Sequence, residues 1–175
     1  MELIGFPFSV KVSDAEEMST GCDPAAVTEE LSWQKAQAVT AELTDFEEII
    51  VIGADTVVSV EGRILGKPAS KDEARIMIQM MQGKDHMVYT GVTILDRSTV
   101  HGDCCETFSE GTRVTVAPMS EEEIESYINT EEPYDKAGAY GIQGSFAKFI
   151  QGIQGDYYNV MGLPVHRLYE KLKKF

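Results

Sequence analysis

The run EEIIVIG, from Glu47 to Gly53, constrains the fold more than any other stretch of the chain. Its apolar part is short, continuous and β-branched, the pattern of a strand buried on both faces. Asp55 follows directly, at the expected C-terminal end of that strand. TVVSV continues as a strand, Glu61-Gly62 supplies a turn, and RILGKP returns, a hairpin-like excursion that carries Lys67 back towards its start.

Helical signals surround this unit. In DPAAVTEELSWQKAQAV, Asp23 stands at the cap and Pro24 in the first turn, with Val27, Leu31, Ala38 and Val39 as the apolar face and Lys35 late in the helix. Ser70 with Glu73 forms a capping-box pattern for a helix through Met81, which Gly83 can end. MVYTGVTIL reads as a strand, and ETFSEGTRVTVAP holds another with Val114 and Val116 on one face. Ser120 and Glu123 repeat the capping-box signal for EEEIESYIN. A glycine-rich segment, EPYDKAGAYGIQG, precedes an apolar FAKFI and a final amphipathic helix from about Pro164 to Lys174. The expected class is α/β, in one domain spanning residues 1–175 without repeats or low-complexity linkers.

Bulk properties narrow the function. At 175 residues and 43% hydrophobic, the chain can bury one sizeable core or two small lobes. No stretch approaches the ~20 apolar residues of a membrane span, and the start lacks a secretory pattern, so a soluble cytoplasmic protein with no membrane partner is expected. Three cysteines, two of them adjacent at 104 and 105, lack zinc spacing and read as buried or half-buried thiols. A net charge of −14 argues against a nucleic-acid partner, since such proteins displace phosphate counterions with basic surfaces. It leaves a small phosphorylated substrate open, because carboxylates with a divalent cation make a workable polyphosphate site.

The chemistry concentrates in two places. Asp55 stands at the carboxyl edge of a strand, where open α/β sheets bind ligands, with Thr56 offering a hydroxyl beside it. By position alone, Asp55 serves equally well to start a turn. The second place is EEPYDKAGAYGIQG, where Glu131, Glu132, Asp135, Lys136 and Gln143 accompany three glycines; glycines permit close backbone approach to a ligand, and Gln143 carries both a donor and an acceptor, as reading a nucleobase edge requires. A loop whose glycines only permit turns and whose charges are solvated is the alternative. Lys35, Lys67 and Lys136 can neutralise a triphosphate if they converge. His86, His101 and His166 share no metal-ligand spacing, and neither a phosphate-binding P-loop nor a dinucleotide fingerprint is present.

Three separated segments, GADTVV at 53–58, GKP at 66–68 and EPYDKAGAYGIQG at 132–144, together resemble the Maf (septum-formation) family. The likeness extends to LSWQKAQAV, TGV at 90–92 and GDYYNVMGLPV at 155–165, nearly the whole chain in order. It implies an inosine-triphosphatase-like α/β fold: a mixed elongated sheet flanked by helices, with two lobes around a central cleft. It also implies hydrolysis of nucleoside triphosphates to the monophosphate and pyrophosphate with a divalent cation, expected to be Mg²⁺. By motif, Asp55 matches the proposed proton acceptor, and it could equally hold the metal. Lys35, Lys67 and Glu17 match polar residues of the cleft, while Thr56 and Gln143 match positions of substrate choice. The form DKAGAYGIQG resembles the branch that prefers dTTP and UTP, and homodimerisation is open.

Family members begin with a strand, a Ser-x-Ser-Pro-Arg-Arg loop and a helix, and none of those motif residues occurs in this chain. The expectation is that the first strand and two phosphate-gripping arginines are missing from this form. Two readings therefore stand beside each other: an active pyrophosphatase, and a nucleotide-binding relative with impaired catalysis.

Overall fold

The structure, a computed structural model, describes residues 1–14, 18–19, 21–43, 49–97 and 104–175, with Cys104 described by its backbone alone. Glu17 and His101 lie outside these residues.

After a single 3-10 turn at Glu2–Ile4, helix α1 runs Pro24–Ala41. It begins after Asp23 as expected, though the Asp23 side chain accepts no capping hydrogen bond. Strand β1 is Ile50–Val60 and β2 is Arg63–Leu65, paired antiparallel with Val60 opposite Arg63. The two residues between them, Glu61 at φ 50° and Gly62 at φ 76°, are both left-handed, as a type I′ hairpin turn demands. Helix α2, Lys71–Met81, is capped by Ser70, whose hydroxyl accepts from the Glu73 N–H. Strands β3, Asp85–Asp96, and β4, Cys104–Val116, follow; helix α3, Glu121–Ile128, carries the full reciprocal capping box of Ser120 and Glu123.

The segment between α3 and the C-terminal helix departs from the expectation of loop. It forms 3-10 turns at Glu132–Asp135, Ala137–Ala139 and Ser145–Phe149, then strand β5, Ile150–Gln154, and a one-turn helix α4, Tyr157–Val160. Strand β5 was not legible because its sequence, IQGIQ, is mostly exposed and shows no run of core residues. Helix α5, Val165–Leu172, closes the chain. The sheet order is β2-β1-β3-β4-β5, with β4 and β5 antiparallel and a register irregularity at Thr115/Val116. The expected α/β class and sheet flanked by helices are thus observed.

Two compact units divide the chain. The first comprises Met1–Asp55, Thr90–Glu110 and Gly162–Phe175, the second Thr56–Tyr89 and Gly111–Met161. In the first unit α1 presses its backbone on the strands at two glycines. A Cβ on Gly53 would meet the Ser32 carbonyl at 2.2 Å and the Ala36 Cβ at 2.9 Å, and one on Gly91 would meet the Thr28 carbonyl at 2.1 Å. The buried stripe of α1 therefore includes Thr28, Ser32 and Ala36, stacked four residues apart, alongside Val27 and Leu31. Ala38 and Val39, expected on that face, are only half-buried. The buried hydroxyls satisfy one another and the helix: Ser32 bonds Thr93 at 2.9 Å and donates to the Glu29 carbonyl, while Thr28 bonds Ser109 at 3.1 Å and donates to the Ala25 carbonyl. A separate apolar cluster unites Val92, Ile94, Phe108, Leu168 and Leu172.

The second unit has the larger core, in which Ile78 and Met81 of α2 and Ile124 and Ile128 of α3 gather with Val58, Val88 and Val114 around Phe146. Two cysteines expected to be at least half-buried, Cys22 and Cys105, are free and exposed.

Because the α1 contacts at Gly91 involve backbone atoms, they cannot be relieved by a rotamer change. Gly91→Ala is expected to destabilise the chain by about 3 kcal/mol, at the upper end of overpacking penalties, read as a shift in the urea midpoint.

Candidate active site

Asp55 is not at the end of a strand. It is the sixth residue of the continuous β1, half-way along Ile50–Val60, because the GADT segment keeps extended geometry and TVVSV continues the same strand instead of starting another. What presents Asp55 to a partner is α1. Contact at Gly53 sets the helix against the strand, and Lys35, the neighbour of Ala36, then donates through Nζ to Asp55 Oδ1 at 2.5 Å. The Asp55 side chain is only 9% exposed and that of Lys35 25%, so the pair is largely withdrawn from water. Charge-assisted bonds of this kind are short and strong, and a carboxylate so placed must keep a cationic partner or pay for its desolvation.

Lys35 and Asp55 are thus brought together within the first unit, and the peptide bond after Asp55 leads into the second. That unit holds Thr56, half-buried on β1, together with Lys67, Lys136 and Gln143. The hairpin register Val58 opposite Leu65 runs the chain back along β1, as expected for Lys67, and the adjacent Gly66 carbonyl accepts from the Gly138 N–H at 2.9 Å. The GKP turn is thereby tied to the DKAGAYGIQG segment. Gly138, at φ 69°, has no room for a side chain, since a Cβ would meet Val58 at 2.8 Å.

Lys136 pairs with Asp135, another of the polar residues of that segment. Lys136 donates to Asp135 at 2.6 Å, and this bond, with a smaller contribution from Lys67, holds the exposed Asp135 carboxyl below the usual carboxylate range. The Lys136 stem lies over Gly141, where a Cβ would come within 3.3 Å of it.

Glu132, one of the polar residues of the glycine-rich segment, turns out to be a tether. Its carboxylate accepts from the Ser145 N–H and hydroxyl at 2.8 and 2.9 Å, from the Tyr127 hydroxyl at 3.0 Å and from the Phe146 N–H at 3.4 Å. Burial alone would push the carboxyl up, but these donors outweigh it and hold it below its ordinary value. Gly144 makes room for the carboxylate, because a Cβ there would stand 2.2 Å from it. No periodicity or motif marks such a clamp, since its partners are backbone groups thirteen and fourteen residues away. Gln143 lies exposed just before it.

His86 on β3 and Tyr140 are both buried and share a hydrogen bond of 2.7 Å between Nε2 and the phenol oxygen. Burial depresses the His86 imidazolium to about 4, against a weaker opposing pull from Asp85, and burial likewise pushes the Tyr140 phenol up. Among the described residues no group of three or more His, Cys, Asp or Glu side chains could hold a metal ion.

An α/β fold carrying a sequestered carboxylate and lysine in one unit, and a glycine-rich segment tethered beside two lysines in the other, is the class that the residues build. The chain belongs to the Maf-like protein family, which matches it over residues 1–175, so the resemblance drawn from its motifs holds. It is 49% identical over 186 residues to a dTTP/UTP pyrophosphatase of Agathobacter rectalis, a match covering 99% of this chain and 90% of that protein. Proteins of the same name from Bacillus cereus (strain G9842) and Bacillus anthracis are 47% and 48% identical over 176 residues, covering all of this chain and 88% of theirs.

The depressed His86 value has a definite sign for stability. The folded state takes up a proton only near pH 4, the unfolded chain near 6.5, so stability is fully present above pH 6.5 and is lost as pH falls from there towards 4. Between pH 7 and 5 the loss attributable to His86 is expected to be about 2 kcal/mol. Urea titrations at the two pH values check it: His86→Leu should remove that part of the dependence.

Proposed function

We propose that the chain hydrolyses nucleoside triphosphates, dTTP and UTP foremost, to the nucleoside monophosphate and pyrophosphate. The observation that carries the reading is the Lys35–Asp55 pair, a carboxylate withdrawn from water and held by a lysine on a packed helix. Relatives at 47–49% identity named dTTP/UTP pyrophosphatase support the choice of reaction and substrate.

The reaction needs water to bond to the α-phosphorus while the bridge to the β-phosphate breaks and leaves with its electron pair on pyrophosphate. Asp55 takes the proton of the attacking water directly, or holds the cation that orients that water. Lys35, which already neutralises Asp55, sits where it can turn to a phosphoryl oxygen as negative charge develops. Lys67 and Lys136 offer two further cations to the polyphosphate, and the donor and acceptor of Gln143 suit the edge of a pyrimidine base, with Thr56 adding a hydroxyl. Glu17 keeps the part in this reading that its motif implies.

A divalent cation, Mg²⁺ by chemistry, fits these residues as a substrate-borne ion. Mg²⁺ is commonly held by one or two carboxylates plus substrate phosphates, and Asp55 with a triphosphate supplies that set. When bound it neutralises phosphate charge. The net charge of −14 favours such a small metal-paired substrate over nucleic acid. No helix among the described residues is long and apolar enough to cross a membrane. Homodimeric assembly belongs to the same reading.

Asp55→Asn keeps the shape of the side chain and removes its charge. Turnover of dTTP with Mg²⁺ is expected to fall by at least about 100-fold, within the usual range for a lost general base. Phosphate release after coupling to a pyrophosphatase measures it, and wild-type-like turnover by a folded Asp55→Asn protein would refute the assignment.

A further inference from the structure

We propose that His86 is a positioning residue for nucleotide selection: its hydrogen bond to Tyr140 fixes the short segment that presents Gln143. The proposal rests on the reading above, in which Gln143 contacts the base.

Three observations lead to it. The first is that the bond is expensive for the fold. Both side chains are buried, and the second ring nitrogen of His86, Nδ1, is buried without a hydrogen-bond partner. An unsatisfied buried polar atom costs on the order of 1–3 kcal/mol, and the neighbouring core is made of aliphatic and aromatic side chains that would fill the space without that cost. Stability alone therefore favours an apolar residue at position 86. A hydrogen bond supplies what an apolar contact lacks, a fixed direction, and the two rings meet edge to face at 82° with centroids 5.3 Å apart.

The second is where the bond acts. Tyr140 directly follows Gly138 and Ala139, two consecutive left-handed residues at φ 69° and 62°. For alanine that conformation is strained, and it persists only where the surroundings hold it. Gly138 is held on one side by the Gly66 carbonyl, and Tyr140 on the other by His86.

The third is how little chain separates this anchor from Gln143. Tyr140 is fixed to β3, Ile142 is buried, and the chain from Ser145 is clamped by Glu132. Gln143 therefore sits on a bridge of a few residues between two polar tethers, with only glycines at 141 and 144 to absorb movement. Releasing the Tyr140 end lets the bridge shift, and displacements on the order of 1 Å suffice to spoil substrate positioning. The chemistry at the α-phosphorus lies with other residues, so base recognition should suffer and the bond-breaking step should not.

Tyr140→Phe deletes one hydroxyl and keeps the ring; His86→Leu deletes the partner; His86→Gln restores an amide near Nε2. For Tyr140→Phe and His86→Leu, KM for dTTP is expected to rise about tenfold and the preference for dTTP over GTP to fall about tenfold, the scale of one lost directional contact, with kcat changing less than about threefold. His86→Gln should recover part of both. Amide hydrogen exchange at 141–145 should quicken in Tyr140→Phe while that of α2 and α3 stays unchanged. A folded Tyr140→Phe protein with unaltered KM and preference, alongside a Gln143→Ala protein that loses both, overturns the role of His86 and leaves the pyrophosphatase reading intact. A fall in kcat with KM unchanged also overturns it. Unaltered preference in Gln143→Ala overturns base reading by Gln143 and the proposal with it. Should the wild-type chain fail to turn over dTTP, the hydrolase reading falls, and calorimetric binding of dTTP and GTP to the same variants decides the positioning role.

Discussion

The first unit depends on a helix that touches its strands without side chains between them. Gly53 on β1 and Gly91 on β3 admit the Ser32 and Thr28 carbonyls of α1 to distances that any Cβ would forbid. Everything that α1 presents follows from that contact. Its buried stripe is narrow and rich in hydroxyls, which bond to Thr93 and Ser109 and so remain satisfied inside the core. Lys35 inherits its position from the same contact, and the Lys35–Asp55 pair is placed by backbone packing, the least compliant arrangement a protein has.

The second unit works by a different physical means. Its glycine-rich segment cannot be held by apolar packing alone, because glycines offer nothing to pack. Polar tethers replace it: the Gly66 carbonyl on Gly138, His86 on Tyr140, and the Glu132 carboxylate on Ser145 and Phe146. Each is directional and each reaches a different element, so the segment is over-determined although it has little regular structure. The aromatic rings of Tyr127, Tyr140 and Phe146, with neighbouring centroids 4.8–5.0 Å apart, add the apolar floor beneath those tethers.

How much of this was legible in the sequence follows from which forces are local. The capping boxes of Ser70 and Ser120 and the Glu61-Gly62 turn were readable because each is decided within four residues. The strand through Asp55 was misdivided because a polar Asp-Thr pair inside a β-branched run looks like a break, and only a helix-borne partner for the carboxylate explains why the strand continues. The face of α1 was assigned by hydrophobicity to Val27, Leu31, Ala38 and Val39; the first two are buried, but the backbone contact draws Thr28, Ser32 and Ala36 into the stripe and leaves the last two half-buried. Strand β5 and the Glu132 clamp were illegible for a common reason: their partners lie on segments that nothing local relates to them. Among the candidate site residues, Lys35 and Asp55 were named by motif twenty residues apart, and it is the packing of α1 that makes them an ion pair; Asp135 and Lys136 were read as separate polar groups of one segment, and the structure pairs them.

The two modes of support divide the demands of a reaction on a nucleotide. A proton acceptor must hold its protonation state and direction through every turnover, and a carboxylate sealed beside a lysine under a packed helix meets that requirement. A base reader must admit a ligand, close on it and release it, which a glycine bridge between polar anchors allows and a packed helix would resist. Ala139 sharpens the contrast, for its left-handed geometry beside the left-handed Gly138 is strained in a residue that carries a Cβ. That strain is sustained by directional bonds on either side, from the Gly138 N–H to the Gly66 carbonyl and between Tyr140 and His86. The Lys35–Asp55 pair is held instead by the backbone contact at Gly53.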